Sequence, residues 1–402
     1  MTAYPLREIT LVTGVKHKIV VYRLWFRILW LSLREYGSIK KAKKALTELK
    51  LLKKQFVGNN KLTKMVKLGN RYYWDMHIPG YPSEIFDNHF RGAINRIIPV
   101  KSSHNRLVVL FFGITKSCPL RCQHCYNWFE LNQDEKLTLP DLKNIVSTFQ
   151  EKGVSQVHFL GGEPMARFDD LLSLVRMVNG KSEVWFSTSG YRLDPERALA
   201  LRDMGLTGVA ISVDHFNAAN HNAFRGHKDA YDWGMNATEN CYKAGLLICW
   251  SICVTNDFIS FDNLLTYTKL AAAHHVNFIQ IFEPMAVGRF NDKDVKIDEP
   301  GLKVLEEYFI RLNTDPAYKH LPIVIYTGYH QRRVGCLGAG NRFLYVDGNG
   351  DLHPCPFCRS SKNLEVLSHP YESLIKSVSE EQCKYEYAAI IQQLSILDYG
   401  KS

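Results

Sequence analysis

Cys118-Pro-Leu-Arg-Cys122-Gln-His-Cys125-Tyr126 is the stretch on which the interpretation of this sequence depends. Its three cysteines are separated by three residues and then by two, and they follow the apolar run 107–114. Three thiolates can hold three irons of a 4Fe–4S cube, because soft sulfur ligands suit iron–sulfur clusters. No fourth cysteine stands at a similar spacing, so the fourth iron would keep an open coordination position. The stretch therefore predicts a cluster at which chemistry can occur.

Two other metal sites are compatible with three cysteines. A structural zinc site usually pairs its cysteines as two close couples, whereas this stretch offers one couple and a third thiol. A ferredoxin-type electron carrier would need a fourth cysteine for its cluster. The triplet favours the open cluster, and a zinc knuckle is the alternative.

Strand-like and helical patterns alternate from residue 107 onward. A succession of six β-then-α units predicts a parallel sheet with helices outside, and barrels of this type place their active sites at the carboxyl ends of strands. The sequence therefore predicts an α/β fold built on a partial (β/α)6 TIM-like barrel. The predicted strands are Leu107–Thr115, Gln156–Gly161, Glu183–Thr188, Gly208–Val213, Leu246–Val254 and Asn277–Phe282, and the predicted helices are Leu139–Lys152, Asp169–Asn179, Pro195–Met204, Tyr231–Ala244 and Phe261–His275.

Short polar motifs follow the predicted strands. The second strand ends in Gly161-Gly162-Glu163-Pro164, the third in Ser187-Thr188-Ser189-Gly190 and the fourth in Ser212-Val213-Asp214. Each motif alone is typical of ordinary turns and helix caps. Their order after the cysteine triplet, with Arg225 further along, resembles the signature of the radical S-adenosylmethionine (radical SAM) enzymes.

The resemblance implies a 4Fe–4S cluster on Cys118, Cys122 and Cys125, with SAM bound at its open iron. In this family the glycine-rich element meets the methionyl amino group, and the later motifs contact the ribose and the carboxylate. The serine at 189 departs from the commoner Thr-Asn-Gly form of its motif. The residues expected to contact SAM are Tyr126, Gly161, Gly162, Glu163, Pro164, Ser187, Ser189, Ser212, Asp214 and Arg225.

A second group of cysteines lies near the C-terminus. Two short β-runs around Asp347-Gly-Asn-Gly350 predict a hairpin, with Cys336 before it and Cys355 and Cys358 after it. This arrangement resembles the SPASM and twitch extensions, which bind auxiliary iron–sulfur clusters. Four cysteines support one auxiliary 4Fe–4S cluster at most, with Cys383 as a fourth ligand or absent from the set. Zinc on the same four residues is the alternative. Cys241, Cys249 and Cys253 are interpreted as core residues, whereas Gln280 and Glu283 could face the substrate.

The N-terminal region carries the positive charge of the chain. Residues 1–71 hold 17 Lys and Arg against three Glu, whereas the remaining residues hold 33 basic and 37 acidic ones. The run Ile19–Leu33 predicts a helix on which Arg23, Arg27 and Arg34 share one side, and it is too short to cross a bilayer. A second basic helix is predicted from an N-cap at Ser38 to Phe56. Helices of this composition often lie in a membrane interface. Burial of the first helix against the main domain would also explain its apolar composition.

These observations predict three parts: a basic N-terminal region over 1–105, a radical SAM core over 106–315 and an auxiliary-cluster extension over 316–402. With no signal peptide and 10 cysteines among 402 residues, we expect a cytoplasmic protein, peripheral at the inner membrane face, whose thiols bind metal. The expected activity is hydrogen abstraction from a lipid or lipid-linked substrate, with a flavodoxin- or ferredoxin-type reductant. The alternatives are a peptide-modifying maturase and a non-catalytic metal-binding or electron-transfer protein. No helix-turn-helix, zinc-finger or RNP pattern accompanies the basic region, which argues against nucleic acid.

Overall fold

A computed structural model describes residues 8–100, 107–338 and 342–381. The predicted ligand Cys383 lies outside these residues.

The N-terminal region combines a small antiparallel sheet with three helices. Gly37 ends the first helix with φ 58°, and Ser38 caps the second by accepting a hydrogen bond from the amide of Lys41. Both predicted helices are confirmed, and the first is longer than the sequence suggested. The elements are β1 Ile9–Val12, α1 Gly14–Tyr36, α2 Ile39–Val57, β2 Met65–Leu68, β3 Arg71–Tyr73 and α3 Glu84–Ile97.

The rest of the described chain alternates strands and helices. Helix α4 shows why the boundaries are well defined, because Thr138 and Asp141 form a reciprocal capping box ahead of its apolar face. The elements are β4 Val109–Gly113, α4 Leu139–Glu151, β5 Gln156–Leu160, α5 Phe168–Val178, β6 Glu183–Thr188, α6 Pro195–Asp203, β7 Gly208–Ser212, α7 Ala218–Arg225, α8 Ala230–Ala244, β8 Leu247–Cys253, α9 Phe261–Ala273, β9 Phe278–Phe282, α10 Glu299–Thr314, β10 Ile323–Tyr326, α11 Thr327–Val334, β11 Phe343–Val346, β12 Leu352–His353 and α12 Tyr371–Ser379.

These strands form one sheet in the order β10-β9-β8-β7-β6-β5-β4-β11-β12. All neighbouring pairs are parallel except β11 with β12. The order has two ends, so the sheet does not close on itself, which agrees with the predicted partial barrel. The six predicted strands are confirmed as its centre, and β10 and β11 extend it on either side.

The predicted C-terminal hairpin is β11 with β12, and β11 pairs in parallel with β4 of the barrel. A strand edge offers unpaired amide and carbonyl groups, and β11 covers that edge of β4. The hairpin therefore continues the barrel sheet. The three-part division at 105 and 315 stays a prediction.

The N-terminal sheet closes the bottom of the barrel, at the amino ends of its strands. Val66 and Tyr73 pack against Trp185 and Leu247 inside the barrel. The carboxylate of Glu183, at the first position of β6, accepts hydrogen bonds from the Tyr73 hydroxyl at 3.2 Å and the Gly80 amide at 2.8 Å. Because the bottom is closed, the interior of the barrel is reached from the carboxyl ends of its strands and from the side of α1 and α2.

Candidate active site

One cavity contains nearly all the residues that the sequence singled out. Its volume is about 1270 Å³, and it extends from the carboxyl ends of the strands to the inner faces of α1 and α2. We call it the main cavity. The predicted site residues that line it are Cys118, Cys122, Cys125, Tyr126, Gly161, Gly162, Glu163, Ser187, Ser189, Ser212, Asp214, Arg225, Cys336 and Cys355.

The cysteine loop follows β4 and is held in place from both sides. The amides of Arg121 and Gln123 donate to the carbonyls of Arg225 and Phe224 at the end of α7, at 3.2 and 2.9 Å. On the other side, the Cys118 amide donates to Asn132 Oδ1 at 2.9 Å. These contacts hold the backbone around the three thiols.

The two glycines of the second motif lie directly against this loop. A Cβ atom at Gly161 would stand 2.4 Å from the carbonyl oxygen of Thr115, and one at Gly162 would stand 2.3 Å from that of Ser117. Gly161 also has a φ of 144°, which side chains rarely allow. These glycines are among the residues expected to contact SAM, and both line the main cavity. In the structure they admit the backbone that leads into the cysteine loop.

Glu163 is the buried acid of this site. Its carboxylate accepts hydrogen bonds from the Ser189 amide at 2.7 Å, the Ser189 hydroxyl at 2.6 Å and the Thr188 hydroxyl at 2.7 Å. Burial raises the pKa of Glu163, and these donors oppose that rise because they favour the ionised form. Ser189 therefore orients the acid, and Pro164 begins the short helical turn that follows it.

Asp214 and Arg225 form a buried ion pair beside the cysteine loop. Arg225 Nε donates to Asp214 Oδ2, and its Nη1 lies 3.7 Å from Cys122 Sγ. The other carboxylate oxygen of Asp214 accepts from the Cys253 amide at 2.8 Å. The charge of Arg225 holds the pKa of Asp214 below its usual range despite burial. Arg225 thus lies beside a thiol, with part of its hydrogen-bonding capacity already used. Cys253, interpreted as a core residue, lines the main cavity instead.

Three other residues predicted to contact SAM, Ser187, Ser212 and Tyr126, make fewer polar contacts in the structure. Ser187 and Ser212 face the cavity near the ends of β6 and β7, and the Ser212 hydroxyl lies 3.5 Å from that of Ser251. The ring of Tyr126 packs edge-on against Tyr345 and Phe357, with centroids 6.2 and 5.7 Å away. Tyr126 therefore connects the cysteine loop with the C-terminal hairpin.

The cysteine loop suits a cluster better than a single ion. Within the described ranges, no three His, Cys, Asp or Glu side chains converge closely enough to hold one metal ion. Zinc needs such convergence, with ligands at about 2.0–2.3 Å. A 4Fe–4S cube takes each thiolate on a different iron, so its ligands lie further apart. Burial raises the pKa of Cys118, and it raises that of Cys125 to about 12, whereas a bound metal would favour the thiolate form that ligates it.

The C-terminal cysteines form a second group beside the first. The Gly338 amide donates to Cys336 Sγ at 3.3 Å, and a Cβ at Gly338 would stand 3.4 Å from that of Cys355. Cys358 does not line the cavity but donates its amide to Cys355 Sγ at 3.1 Å. Amide donors to sulfur are among the contacts that tune iron–sulfur clusters. The described residues fit an auxiliary cluster with at least three thiolate ligands.

Sequence reasoning missed Arg289, which lies after β9 in the turn Gly288–Phe290 and holds the cysteine loop. Arg289 Nη1 donates to the carbonyls of Arg121 and Cys122, and its guanidinium lies 4.4 Å from the Trp128 ring centre. The backbone amide of Arg289 donates to the Cys125 carbonyl at 2.9 Å. No local pattern marks residue 289, because its partners lie more than 160 positions away.

A polar group inside the barrel was also missed. The side chain of His77, from the N-terminal region, stacks on His158 of β5 with ring centroids 5.3 Å apart. Asp75 Oδ1 binds His77 Nδ1 at 2.9 Å. Gln280 and Glu283 also line the cavity, as the sequence suggested. The N-terminal region thus contributes side chains to the same space as the cysteines.

Comparisons with known proteins agree with this geometry. Residues 113–264 match the sequence profile described as Radical SAM superfamily. Mycofactocin maturase MftC from Mycolicibacterium smegmatis is 29% identical over 264 residues, which are 64% of this chain and 66% of that protein. The AdoMet-dependent heme synthase of Nitratidesulfovibrio vulgaris is 25% identical over 273 residues, 62% of this chain and 73% of that protein.

The fold is similar to that of Streptococcus suis SuiB in its complex with the precursor peptide SuiA. The TM-score is 0.57 at 15% identity, over 90% of this chain and 84% of that chain. The names of MftC and the heme synthase describe different reactions, so similarity to both does not select a substrate.

Proposed function

We propose that this chain, whose residues 113–264 match the Radical SAM superfamily profile, is a radical SAM enzyme that abstracts a hydrogen atom from a lipid or lipid-linked substrate at the membrane surface. The cofactors of the family are a 4Fe–4S cluster and SAM. When bound, the cluster in its reduced form would supply the one electron that cleaves SAM to methionine and a 5′-deoxyadenosyl radical, the species that abstracts hydrogen.

The chain positions these groups. Cys118, Cys122 and Cys125 would hold the cluster, and the carboxyl group of Glu163, oriented by Thr188 and Ser189, would accept a hydrogen bond from the ammonium of SAM. Arg225, which lies beside Cys122, would bind the carboxylate of SAM. The Cys336, Cys355 and Cys358 group would hold an auxiliary cluster that accepts an electron from substrate or binds it. A flavodoxin- or ferredoxin-type protein would be the reductant.

The observation that carries the lipid proposal is an exposed apolar stripe on the outer face of α1. The residues recur every three or four positions, which places them on one face of the helix. Their exposed fractions include 73% at Val15, 76% at Tyr22 and 72% at Phe26. We call this set the α1 stripe: Val15, Ile19, Tyr22, Phe26 and Trp30. Large apolar side chains in such a row favour contact with a partner rather than with water.

The surroundings of the stripe favour an anionic bilayer as that partner. Lys16, Lys18, Arg23 and Arg34 are exposed along the same helix, and no acidic residue occurs between Glu8 and Glu35. Each basic residue near an anionic membrane surface contributes roughly 1 kcal/mol of attraction. No helix in the described ranges is long and apolar enough to span a membrane, so the proposal is attachment in the interface.

The stripe also adjoins the main cavity. Lys18 and Tyr22 are exposed and line the cavity, and the inner face of the same helix contributes Leu24, Trp25 and Ile28 to its wall. An apolar chain leaving a bilayer at the α1 stripe would therefore meet an apolar wall that leads toward the cysteine loop.

Sedimentation with vesicles tests the membrane proposal. The full chain should bind vesicles of phosphatidylcholine with phosphatidylglycerol, and binding should weaken with salt. Replacing Tyr22 and Phe26 together by Ser should reduce binding by about tenfold or more, because two large apolar side chains no longer insert. The matched control replaces Leu199 and Leu367, which are exposed elsewhere, by Ser. Equal binding by both double variants would refute docking through the stripe.

A peptide substrate is the second candidate. The similarity to SuiB, whose structure contains a precursor peptide, covers 90% of this chain and so extends beyond residues 113–264. In addition, β1 is an edge strand of the three-stranded sheet, and an edge strand can pair with an extended peptide. Protection of the β1 amides from hydrogen exchange by a candidate peptide would support this function over the lipid.

Anaerobic reconstitution tests the activity itself. Two clusters predict about eight irons per chain, and reduction in the presence of SAM should give 5′-deoxyadenosine. Zinc with little iron, and no 5′-deoxyadenosine, would instead support a non-catalytic metal-binding protein.

A further inference from the structure

The main cavity contains a group of positive charges that the radical chemistry does not use. Arg342 lines the cavity just before β11, and its guanidinium carbon lies 4.6 Å from the ring centre of Phe56 on α2. Lys53, one turn earlier on α2, also lines the cavity. Lys18 and Lys61 complete the basic wall on this side.

These charges lack anionic partners in the described part of the chain. Neither Arg342 nor Lys53 forms an ion pair there, whereas Arg333 pairs with Glu306 at 3.3 Å. Of the stretches that the structure does not describe, 1–7, 101–106 and 339–341 contain no Asp or Glu in the sequence, and 382–402 contains Glu386 and Asp398.

The acids of the cavity wall are already engaged. Asp75 binds His77, Asp214 binds Arg225, and Glu283 accepts hydrogen bonds from Arg332 and Tyr326 at 2.6 Å each. Glu163 takes its donors from residues 188 and 189. No carboxylate of the described cavity wall remains to neutralise Arg342.

Arg342 is half-buried in this wall, whereas the side chains of Lys18, Lys53 and Lys61 reach solvent at its edge. Burial lowers the pKa of Arg342 to about 10, and it lowers the pKa of Lys53. His89 and His17, which line the same wall, have lowered pKa values through burial and, to a lesser degree, the nearby charges of Arg96 and Arg342 on His89 and of Lys53 on His17. Partly desolvated charges of one sign favour binding of an anion.

The backbone holds Arg342 firmly. Its carbonyl accepts from the amides of Val108 and Val109 at 2.7 and 3.1 Å, and its own amide donates to the Leu337 carbonyl at 2.9 Å. A guanidinium on a fixed backbone is suited to bidentate recognition of carboxylate or phosphate oxygens.

We propose that Arg342 and Lys53 form an anion subsite that binds the phosphate or carboxylate head of a single-chain amphiphile, whose apolar chain lies along the cavity wall. The wall beside the subsite contains Leu49, Leu52 and Phe56 of α2 and Trp25 of α1. As an assignment of substrate class this inference rests on the proposed function, but its test does not require catalysis.

The test is a binding titration of the full chain with both clusters, without SAM or reductant. The probes are dodecyl phosphate, dodecanoate and the neutral dodecyl maltoside, each below its critical micelle concentration. The anionic probes should bind about tenfold tighter than the neutral one or better, since hydrogen bonds between charged groups contribute about 1.5–3 kcal/mol. Quenching of Trp25 and Trp74 by a brominated fatty acid would report occupancy, because both line the cavity.

Substitutions assign the effect to residues. Arg342→Gln should weaken the binding of dodecyl phosphate by roughly 10- to 100-fold and leave the affinity for the neutral probe unchanged. Arg342→Lys should lose less of the affinity for dodecyl phosphate. Lys53→Gln should have a smaller effect of the same sign. Arg333→Gln, a substitution outside the cavity wall, should change the affinity for neither the anionic nor the neutral probe. Equal affinity for anionic and neutral probes, or equal loss for both in Arg342→Gln, would overturn the proposal.

Three further outcomes would assign the basic residues to a different anion. Cys336 precedes Leu337, so a cluster on Cys336 is one rival partner for Arg342, and a fall in iron content in Arg342→Gln would assign the residue to that cluster. If inorganic phosphate binds as tightly as dodecyl phosphate, the site recognises free phosphate. An acidic peptide that displaces the probe at equal affinity would assign the cavity to peptides. Each of these results would reject the amphiphile.

Discussion

The two ends of the barrel differ in how the chain builds them. At the carboxyl ends of the strands, which we call the rim, contiguous motifs supply the site: the cysteine loop, residues 161–164 and the strand ends near 188 and 214. At the opposite end, which we call the floor, single residues from distant segments meet, as Tyr73 and Gly80 meet Glu183. Under the proposed function, rim residues position the cofactors, whereas floor residues join the N-terminal region to the barrel. Substitutions at the rim should therefore reduce activity, whether or not they also reduce stability, and those at the floor should affect stability alone.

The largest effect is expected at the cysteine loop of the rim. Cys122→Ala should remove about four irons per chain and reduce 5′-deoxyadenosine formation by about 100-fold or more, because two thiolates hold the cube poorly. The control is Cys241→Ala, a buried thiol of α8 within the core, which should keep its iron. Iron analysis and product chromatography provide the measurement. Equal iron loss in both variants would remove the distinction between ligand and core cysteines.

Cys355→Ala tests whether the C-terminal group acts separately from the rim. It should remove about four irons and leave the cluster that cleaves SAM, so some 5′-deoxyadenosine formation should remain. Zinc in the wild-type protein, lost in this variant, would contradict an auxiliary iron–sulfur cluster.

Arg225→Gln should combine a stability effect with an effect on SAM binding. It leaves the buried carboxylate of Asp214 without its ion-pair partner, and such breaks cost about 3–5 kcal/mol. Arg197→Gln is the matched control, since Arg197 pairs with Asp194 at the surface, where the cost is about 1 kcal/mol or less. Thermal melts and SAM titrations of both variants check the expectation. Similar melts would mean that the buried pair does not stabilise the rim.

The smallest effect is expected at the floor, and it depends on pH. Burial raises the pKa of Glu183 to about 6 from 4.5. The native carboxyl therefore binds a proton more tightly than the unfolded one, so its contribution is present below pH 4.5 and is lost as the pH rises through 6. The change is about 2 kcal/mol. Glu183→Gln should remove this pH dependence and leave 5′-deoxyadenosine formation unchanged, as melts between pH 5 and 7.5 would show. An unaltered pH profile would place the titrating group elsewhere.

The difference between rim and floor also explains what the sequence could predict. The six central strands, the N-cap at Ser38 and the hairpin of β11 with β12 follow from local periodicity and turn residues, and the structure confirms them. The rim residues were found because their motifs are short and come in a fixed order along parallel strands, which brings them to one edge.

Other features have no local signal. Nothing near Arg289 or Arg342 in the sequence indicates what each arginine contacts. The partners of Arg289 come from the cysteine loop, and the aromatic partner of Arg342 comes from α2. The joining of β11 to β4 depends on a free strand edge, which only the folded sheet presents. Helix α1 is apolar on nearly all sides, so its sequence could not reveal which apolar residues face the cavity and which form the α1 stripe.

The most direct test of the central claim is electron paramagnetic resonance of the reduced variant in which Cys336, Cys355 and Cys358 are all replaced by Ala. If Cys118, Cys122 and Cys125 alone hold a 4Fe–4S cube, the variant should give the spectrum of one reduced cube, and SAM should change that spectrum by binding the iron without a protein ligand. A spectrum with no cube, or a cube that SAM leaves unchanged, would contradict the account.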